Sequence, residues 1–188
     1  YTVGRKGSNA LRFDGNTIIQ VANSASLQIE SGFTQSTWIK IDMSATTEMN
    51  IAEKGSWVGD WLSHLKTRAD GMFYFAFASA TFSPTNVDDD VRGLEKGRWI
   101  HIAMTWDGSR RKLYIDGKLD GEDAPDGDLS PNGSPLEIGG RSGPAVMFVG
   151  EMDDFKLFSR PLSADEVQEL AYGKLVWSNR YNGGDGEQ

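Results

Sequence analysis

Apolar and polar residues alternate in short runs along this chain, and turn-forming residues separate the runs. Leu11 and Phe13 flank Arg12, and Asp14-Gly15-Asn16 then supplies a turn before a second run at residues 17–21. Within residues 33–42, Phe33, Ile39 and Ile41 share one face while Trp38 and Lys40 take the other, the two-residue period of a half-buried strand. Strands at 50–53 and 61–67 flank a glycine-containing loop at 55–60. Asp70-Gly71 predicts a hairpin, because the favoured two-residue turn needs positive φ at both central positions. Residues 72–78 are apolar on both faces, as in a central strand covered on both sides. A polar stretch at 79–90 carries Asp88, Asp89 and Asp90. The run 99–106 closes on Asp107-Gly108, and 112–115 closes on Asp116-Gly117. Residues 121–135 read as a long surface loop, 136–138 as a short strand and 149–158 as the last long one.

One helix follows. Ser163 caps it and Glu166 stands three residues on, the spacing in which each side chain satisfies the other's free backbone N–H. Val167 and Leu170 form its buried edge. About ten strands and one late helix, with no helical crossovers, exclude a parallel α/β fold and predict an all-β sandwich of two antiparallel sheets with a short C-terminal helix. The domain is read as residues 1–177, with 178–188 a linker-like tail.

Composition narrows the partners. The 188 residues suit one domain. The chain does not begin with Met, so it is expected to be a piece of a larger protein whose targeting signal lies upstream. No apolar run reaches the roughly 20 residues that span a bilayer, so membrane insertion is not expected. A net charge of −8 repels phosphate backbones and argues against nucleic acid. Acidic loops either hold calcium or simply keep the surface soluble. The absence of cysteine removes disulfides, thiolate zinc sites and cysteine nucleophiles, and leaves the compartment open.

Five ordered motifs carry a family resemblance. Residues 8–15 (Ser-Asn-Ala-Leu-Arg-Phe-Asp-Gly), the segment from Phe33 to Ile39 with Trp38, and the run 97–108 through Trp99, His101, Ala103, Thr105 and Asp107-Gly108 are three of them. Leu113-Tyr114-Ile115-Asp116-Gly117 and Gly150-Glu151-Met152-Asp153-Asp154-Phe155 with Leu162, Ser163 and Glu166 are the others. Together they resemble laminin-G-like, concanavalin A-like jelly-roll domains over about residues 4–173. Such domains include lectins, adhesion modules, enzyme appendages and some enzymes, so the resemblance speaks for the fold more than for function. It implies a secreted or cell-surface setting. It also implies a calcium ion where the first strand's turn meets the last strand, at the positions of Asp14 and Asp153, with Asn16 as a further oxygen donor. Parity with Phe155 and Leu157 points Asp153 toward the core side, where a carboxylate needs a partner or a metal. The competing readings are an ordinary turn for Asp14 and backbone hydrogen bonds for Asp153. Asp88, Asp89 and Asp90 form a second, weaker calcium candidate. His101 reads as a hydrogen-bonded structural histidine, and Asp116-Gly117 as turn chemistry.

Glycoside hydrolases of this fold place carboxylates at alternate positions of one strand. Here Glu151 and Asp153 share a face, but Phe155 or Lys156 takes the third place, so the second catalytic carboxylate is missing and no enzyme is expected. Sugar sites combine an exposed aromatic ring with forked hydrogen-bonding groups. Trp57, among the turn formers of residues 55–60, is the foremost platform candidate, with loop packing as its other reading. Trp61 and Phe82 follow. Arg141 in a glycine-rich loop suits a carboxylate or hydroxyl pair. Asp60 and His64, with Lys66, join a Trp57 site if its loop folds over the concave sheet.

The sequence therefore predicts a calcium-stabilised, non-catalytic carbohydrate-binding or adhesion module, with a polysaccharide or glycan as partner and a catalytic domain tethered in the same chain as a further candidate partner. A structural spacer or protein-adhesion domain without a glycan site is the alternative, and a glycoside hydrolase the third reading.

Overall fold

A computed structural model of the chain describes residues 2–5, 9–45, 48–55, 62–67, 73–76, 95–124, 129, 131–142 and 147–173. The strands are β1 (Thr2–Val3), β2 (Asn9–Asp14), β3 (Ile19–Val21), β4 (Phe33–Ile41), β5 (Met49–Lys54), β6 (Ser63–Thr67) and β7 (Phe73–Ala76). They continue with β8 (Trp99–Trp106), β9 (Arg111–Ile115), β10 (Lys118–Asp123), β11 (Leu136–Ile138) and β12 (Val149–Phe158), before the helix α1 (Ala164–Tyr172). They form two sheets, ordered β1-β2-β12-β4-β8-β9-β10 and β3-β11-β5-β6-β7, and every strand pairing is antiparallel. This is the expected two-sheet jelly roll, with a single α-helix among the described residues.

Alternation along each strand builds the core. Phe33, Ile39 and Ile41 of β4, Ile100, Ile102 and Met104 of β8, and Met152 of β12 meet Ile51, Leu65, Phe75, Leu136 and Ile138 of the facing sheet. Sandwiched side chains of this kind exclude water from both inner faces and supply most of the stabilisation. Polar contacts also cross the gap between the sheets. Ser63 Oγ donates to Gln35 Oε1 (2.9 Å), and Arg111 Nη1 donates to the Phe75 carbonyl (3.0 Å) while its guanidinium pairs with Asp123.

The helix begins as its capping box requires: Glu166 N donates to Ser163 Oγ (3.2 Å) and Ser163 N to Glu166 Oε2 (2.8 Å). Val167 packs with Leu162, Ala103 and Tyr114, which lays α1 on the outer face of the seven-stranded sheet.

Two sequence expectations change. Residues 118–123 were expected to be partly loop, yet they form β10, which returns along β9 with a register shift at Leu119/Gly121 that absorbs Asp120. Asp153 does not face the core. It pairs with Trp38 on the outward side, and a one-residue bulge follows before Lys156 pairs with Ser36. Asp154 adopts φ +51° in that bulge. The extra residue reverses the alternation, so Phe155 and Leu157 pack against the core while Asp153 does not.

Candidate functional site

The outer face of the five-stranded sheet carries an unusual row. Gln20 of β3 pairs with Glu137 of β11, Glu137 with Glu53 of β5, and Glu53 with His64 of β6. Paired residues of antiparallel strands point to the same side, so four polar side chains line up across four strands. A solvent-facing row is normally exposed. Here Glu53 is 2% exposed, His64 4% and Glu137 7%, and Asn50, on the next row, is 2% exposed. Gln20 and Ser142 are exposed, and Lys66 and Arg141 partly so. The face is thus a buried polar floor with a more accessible border.

Hydrogen bonds lock this floor. Gln20 Nε2 donates to Glu137 Oε1 (2.6 Å) and to Ser142 Oγ (2.8 Å). Ser142 donates through Oγ to Glu137 Oε1 (2.6 Å) and through its backbone N–H to Oε2 (3.0 Å). Burial works to raise the Glu137 pKa, but these bonds and the charge of Arg141 outweigh it and hold the carboxyl below its ordinary value. Asn50 Nδ2 donates to Glu53 Oε2 (3.2 Å), so Asn50 Oδ1 is the acceptor of the 3.0 Å contact from His64 Nε2. Burial, then the charges of Lys66 and Arg141, push the His64 pKa down to about 3, so the ring is neutral. Lys66 in turn pairs with Glu48.

The loop that delivers Arg141 and Ser142 depends on local backbone chemistry. After β11 the chain turns through Gly139 at φ +84°, and Gly139 N donates to the Ile51 carbonyl (2.9 Å). A Cβ at Gly139 would lie 2.1 Å from the Phe13 ring. Only glycine accepts both the left-handed conformation and the contact.

Of the residues expected to bind sugar, His64 and Arg141 come to this one face, close enough for the Arg141 charge to depress the His64 pKa. Trp57, Asp60, Trp61 and Phe82 lie outside the described residues, as do Asp88, Asp89 and Asp90. Gln20, Asn50, Glu53, Glu137 and Ser142 were not anticipated. The only local signal for them was a polar residue at alternate positions of a strand, as in Leu136-Glu137-Ile138, which also describes an ordinary solvent face.

The calcium expectation fails a test of fit at Asp14 and Asp153. Asp14 pairs with Val149, whereas Asp153 is four residues further along β12, about 13 Å at the ordinary strand rise. Calcium takes oxygen ligands at about 2.4 Å, so these two carboxylates do not share one ion. Each is occupied otherwise. Asp14 Oδ1 accepts from Asn16 N (2.9 Å) and Thr17 Oγ1 (3.2 Å), which lowers its pKa, and Asn16 contributes a backbone donor. Asp153 accepts from Arg5 N (3.2 Å) and Asp154 N (2.9 Å). Among the described residues no three His, Asp or Glu side chains gather in a way that would hold a metal ion.

The opposite outer face is built differently. Glu151, one of the alternate carboxylates, stands between Arg12 (3.5 Å) and Lys40 (3.4 Å), and Arg12 also reaches Asp42 (2.7 Å). Further along the same face the Arg5 guanidinium lies 3.6 Å over the Trp38 ring and donates to the Ala171 carbonyl (3.0 Å) at the end of α1. His101 is buried there with its ring centroid 5.2 Å from that of Trp38, and its backbone N–H donates to Asp116 Oδ1 (3.0 Å). No described helix is long and apolar enough to cross a membrane.

Comparison with known proteins agrees with this architecture. Residues 13–168 match a laminin G family described as the concanavalin A-like lectin/glucanases superfamily. The sushi, von Willebrand factor type A, EGF and pentraxin domain-containing protein 1 of Rattus norvegicus is 35% identical over 89 residues, which is 42% of this chain and 2% of that protein. Domain 4 of AbnA, a GH43 extracellular arabinanase from Geobacillus stearothermophilus solved with arabinotriose, superposes with a TM-score of 0.72 at 18% identity. The match covers 91% of this chain and 80% of that one. A Trypanosoma rangeli sialidase in complex with sialic acid gives 0.65 at 20% identity, over 87% of this chain and 27% of the sialidase. The binding domain of Paraclostridial Mosquitocidal Protein 1 gives 0.62 at 20% identity, over 90% and 44%. At these identities the structural likeness speaks to the fold alone.

Proposed function

Because the chain belongs to the concanavalin A-like lectin/glucanases superfamily, we propose that it is a non-catalytic carbohydrate-binding module of a larger secreted or surface protein. The observation that carries this reading is the hydrogen-bonded floor of Gln20, Glu137, Glu53, His64 and Asn50 on the outer face of the five-stranded sheet. Sugar recognition needs several fixed polar groups converging on one patch, already oriented so that little ordering is lost on binding. Glu137 fixes Gln20 and Ser142 at the accessible border, and Arg141 follows Gly139 and Gly140 to the same place. Trp57 completes the proposal as the aromatic platform. It lies three residues beyond Lys54, the last residue of β5, and the connection that contains it joins the strands bearing Glu53 and His64. The likeness to an arabinanase domain solved with arabinotriose supports a role as an appendage that keeps a tethered partner near its polysaccharide.

A glycan array of the purified chain, repeated with EDTA, tests the reading. Binding that is lost in Glu137→Ala and weakened in Trp57→Ala, each still folded, is the expected result. A blank array on a folded sample would replace this reading with a spacer or protein-adhesion role. One observation favours a second reading, hydrolysis: Glu53 and Glu137 stand in register on neighbouring strands, where Cβ atoms are about 5 Å apart, near the carboxylate spacing of about 5–5.5 Å used by retaining glycosidases. Release of reducing ends from any bound polysaccharide, abolished in Glu137→Gln, would establish it in place of simple binding.

A further inference from the structure

We infer that the site on the five-stranded sheet selects uncharged oligosaccharides and rejects those bearing carboxylate or sulfate groups. This inference rests on the carbohydrate-binding reading of that face. Among its described residues are three carboxylates, Glu48, Glu53 and Glu137, against two cations, Lys66 and Arg141. His64 adds no charge, because its ring is neutral across the physiological range. Both cations are placed against carboxylates: Lys66 pairs with Glu48, and the Arg141 charge helps to hold Glu137 ionised. An acidic sugar would therefore have to compete for cations already engaged, and would bring its own anion beside Glu53 and Glu137 in a poorly hydrated setting. Like charges at such range repel strongly in a partly buried site, where little solvent screens them. The overall charge of −8 adds a long-range repulsion of the same sign.

Uncharged sugars face no such conflict. Their hydroxyls donate to carboxylate and amide oxygens, and the accessible border offers both: the partly exposed carboxylate of Glu48, and Oε1 of Gln20, whose amide nitrogen is already turned toward Glu137 and Ser142. Charge-assisted acceptance from a hydroxyl is stronger than a neutral hydrogen bond, so the carboxylates that repel an anion reward a polyol.

The test is titration of the full chain with two sets of probes: neutral pentose and hexose oligosaccharides, and uronate-, sialate- or sulfate-bearing ones of equal length, at low and high sodium chloride. The expected result is binding confined to the neutral set, with a Kd that changes by less than about twofold between the two salt concentrations. Glu48→Gln, which removes a rim carboxylate and releases Lys66 from it, should raise affinity for the uronate probes several-fold. Tight, salt-sensitive binding of acidic probes by the wild-type chain would overturn the inference while leaving the carbohydrate reading intact. No binding in either set would remove the reading itself, and this inference with it.

Discussion

The two outer faces of this sandwich use polar residues in opposite ways. On the seven-stranded sheet Arg12, Lys40, Asp42 and Glu151 form ion pairs in which Arg12 is half-exposed, and another part of that face is covered by α1 and by Arg5 over Trp38. On the five-stranded sheet Glu137, Glu53 and His64 of the polar row are sunk to a few per cent exposure, and Glu137 accepts short hydrogen bonds from Gln20 and Ser142. Exposed pairs add little to stability, whereas buried polar groups are expensive unless every member is satisfied. Burying and ordering several polar side chains in one row is what sets the second face apart from the first. The first surface is paired and partly covered; the second carries the proposed glycan site.

The strongest way to break this contrast is to remove the turn that holds the second face together. Gly139→Ala combines a left-handed φ of +84° with a Cβ placed 2.1 Å from the Phe13 ring. It should destabilise the fold by more than about 3 kcal/mol, through core displacement and backbone strain together. Gly133→Ala meets nothing within 4 Å and serves as the control. Equal melting temperatures for the two variants would show that the loop gives way freely, and that the site border is not rigid.

Each outer face also buries one histidine, and both are neutral. His64 is pushed down to about 3, by burial first and then by Lys66 and Arg141. His101 is pushed down to about 4, by burial first, with Lys156 and Arg5 adding to the shift while Asp116 and Asp154 oppose it. Unfolded imidazole protonates near 6.5, so the unfolded chain binds more protons than the folded one below that pH. Stability is therefore complete above about pH 6.5 and declines as the pH falls below that, the loss being complete once the pH has fallen through about 4 for His101 and about 3 for His64. Between pH 7 and 5, before most carboxylates titrate, each histidine should account for roughly 2 kcal/mol. Denaturant midpoints across that range, for the wild type and for His64→Gln with His101→Gln, measure the effect. An imidazole that titrates near pH 6.5 by NMR would show that its ring is not buried as described.

Much of this was legible in local pattern and some of it was not. The strands carrying Phe33 to Ile41 and Trp99 to Trp106 announce themselves because two-residue alternation is set by residues next to each other in sequence. The capping box at Ser163 and Glu166 is local in the same way. Asp153 defeated that logic, because a bulge at Asp154 changes the parity and no neighbouring residue signals it. Strand β10 was obscured by Gly121 and three acidic residues, which resemble a loop until β9 supplies their hydrogen bonds. The site was the least visible part. Gln20, Glu53, His64 and Glu137 become neighbours only when β3, β11, β5 and β6 are set side by side, and that order is a property of the topology. His64 and Arg141 could be suspected by residue type; their partners could not.

A smaller effect isolates the closed face. Arg5→Ala removes the contact over Trp38 and the bond to the Ala171 carbonyl. A desolvated cation–π contact and one charged hydrogen bond together support a loss of about 1–2 kcal/mol. Hydrogen exchange should show the loss concentrated in β1 and the last turn of α1, with glycan binding unaltered. A change in binding would mean that the two faces communicate through the core.

The finest distinction compares two exposed residues on opposite faces. Arg12 pairs with Asp42 and Glu151 at the surface of the seven-stranded sheet, and Gln20 bridges Glu137 and Ser142 at the border of the other. Arg12→Ala should leave both the melting temperature and glycan affinity unchanged, since its partners remain hydrated and screened by salt. Asp14→Ala belongs with it: the loss is confined to a turn, and the response of the melt to EDTA should match that of the wild type. Gln20→Ala should likewise spare the melt, because β3 is an edge strand and Ser142 still donates twice to Glu137. It should nevertheless weaken binding several-fold, because Gln20 presents its carbonyl oxygen at the accessible border of the row. If Arg12→Ala weakened binding and Gln20→Ala did not, the ligand would lie on the seven-stranded sheet, and the buried polar row would have to be explained by folding specificity instead.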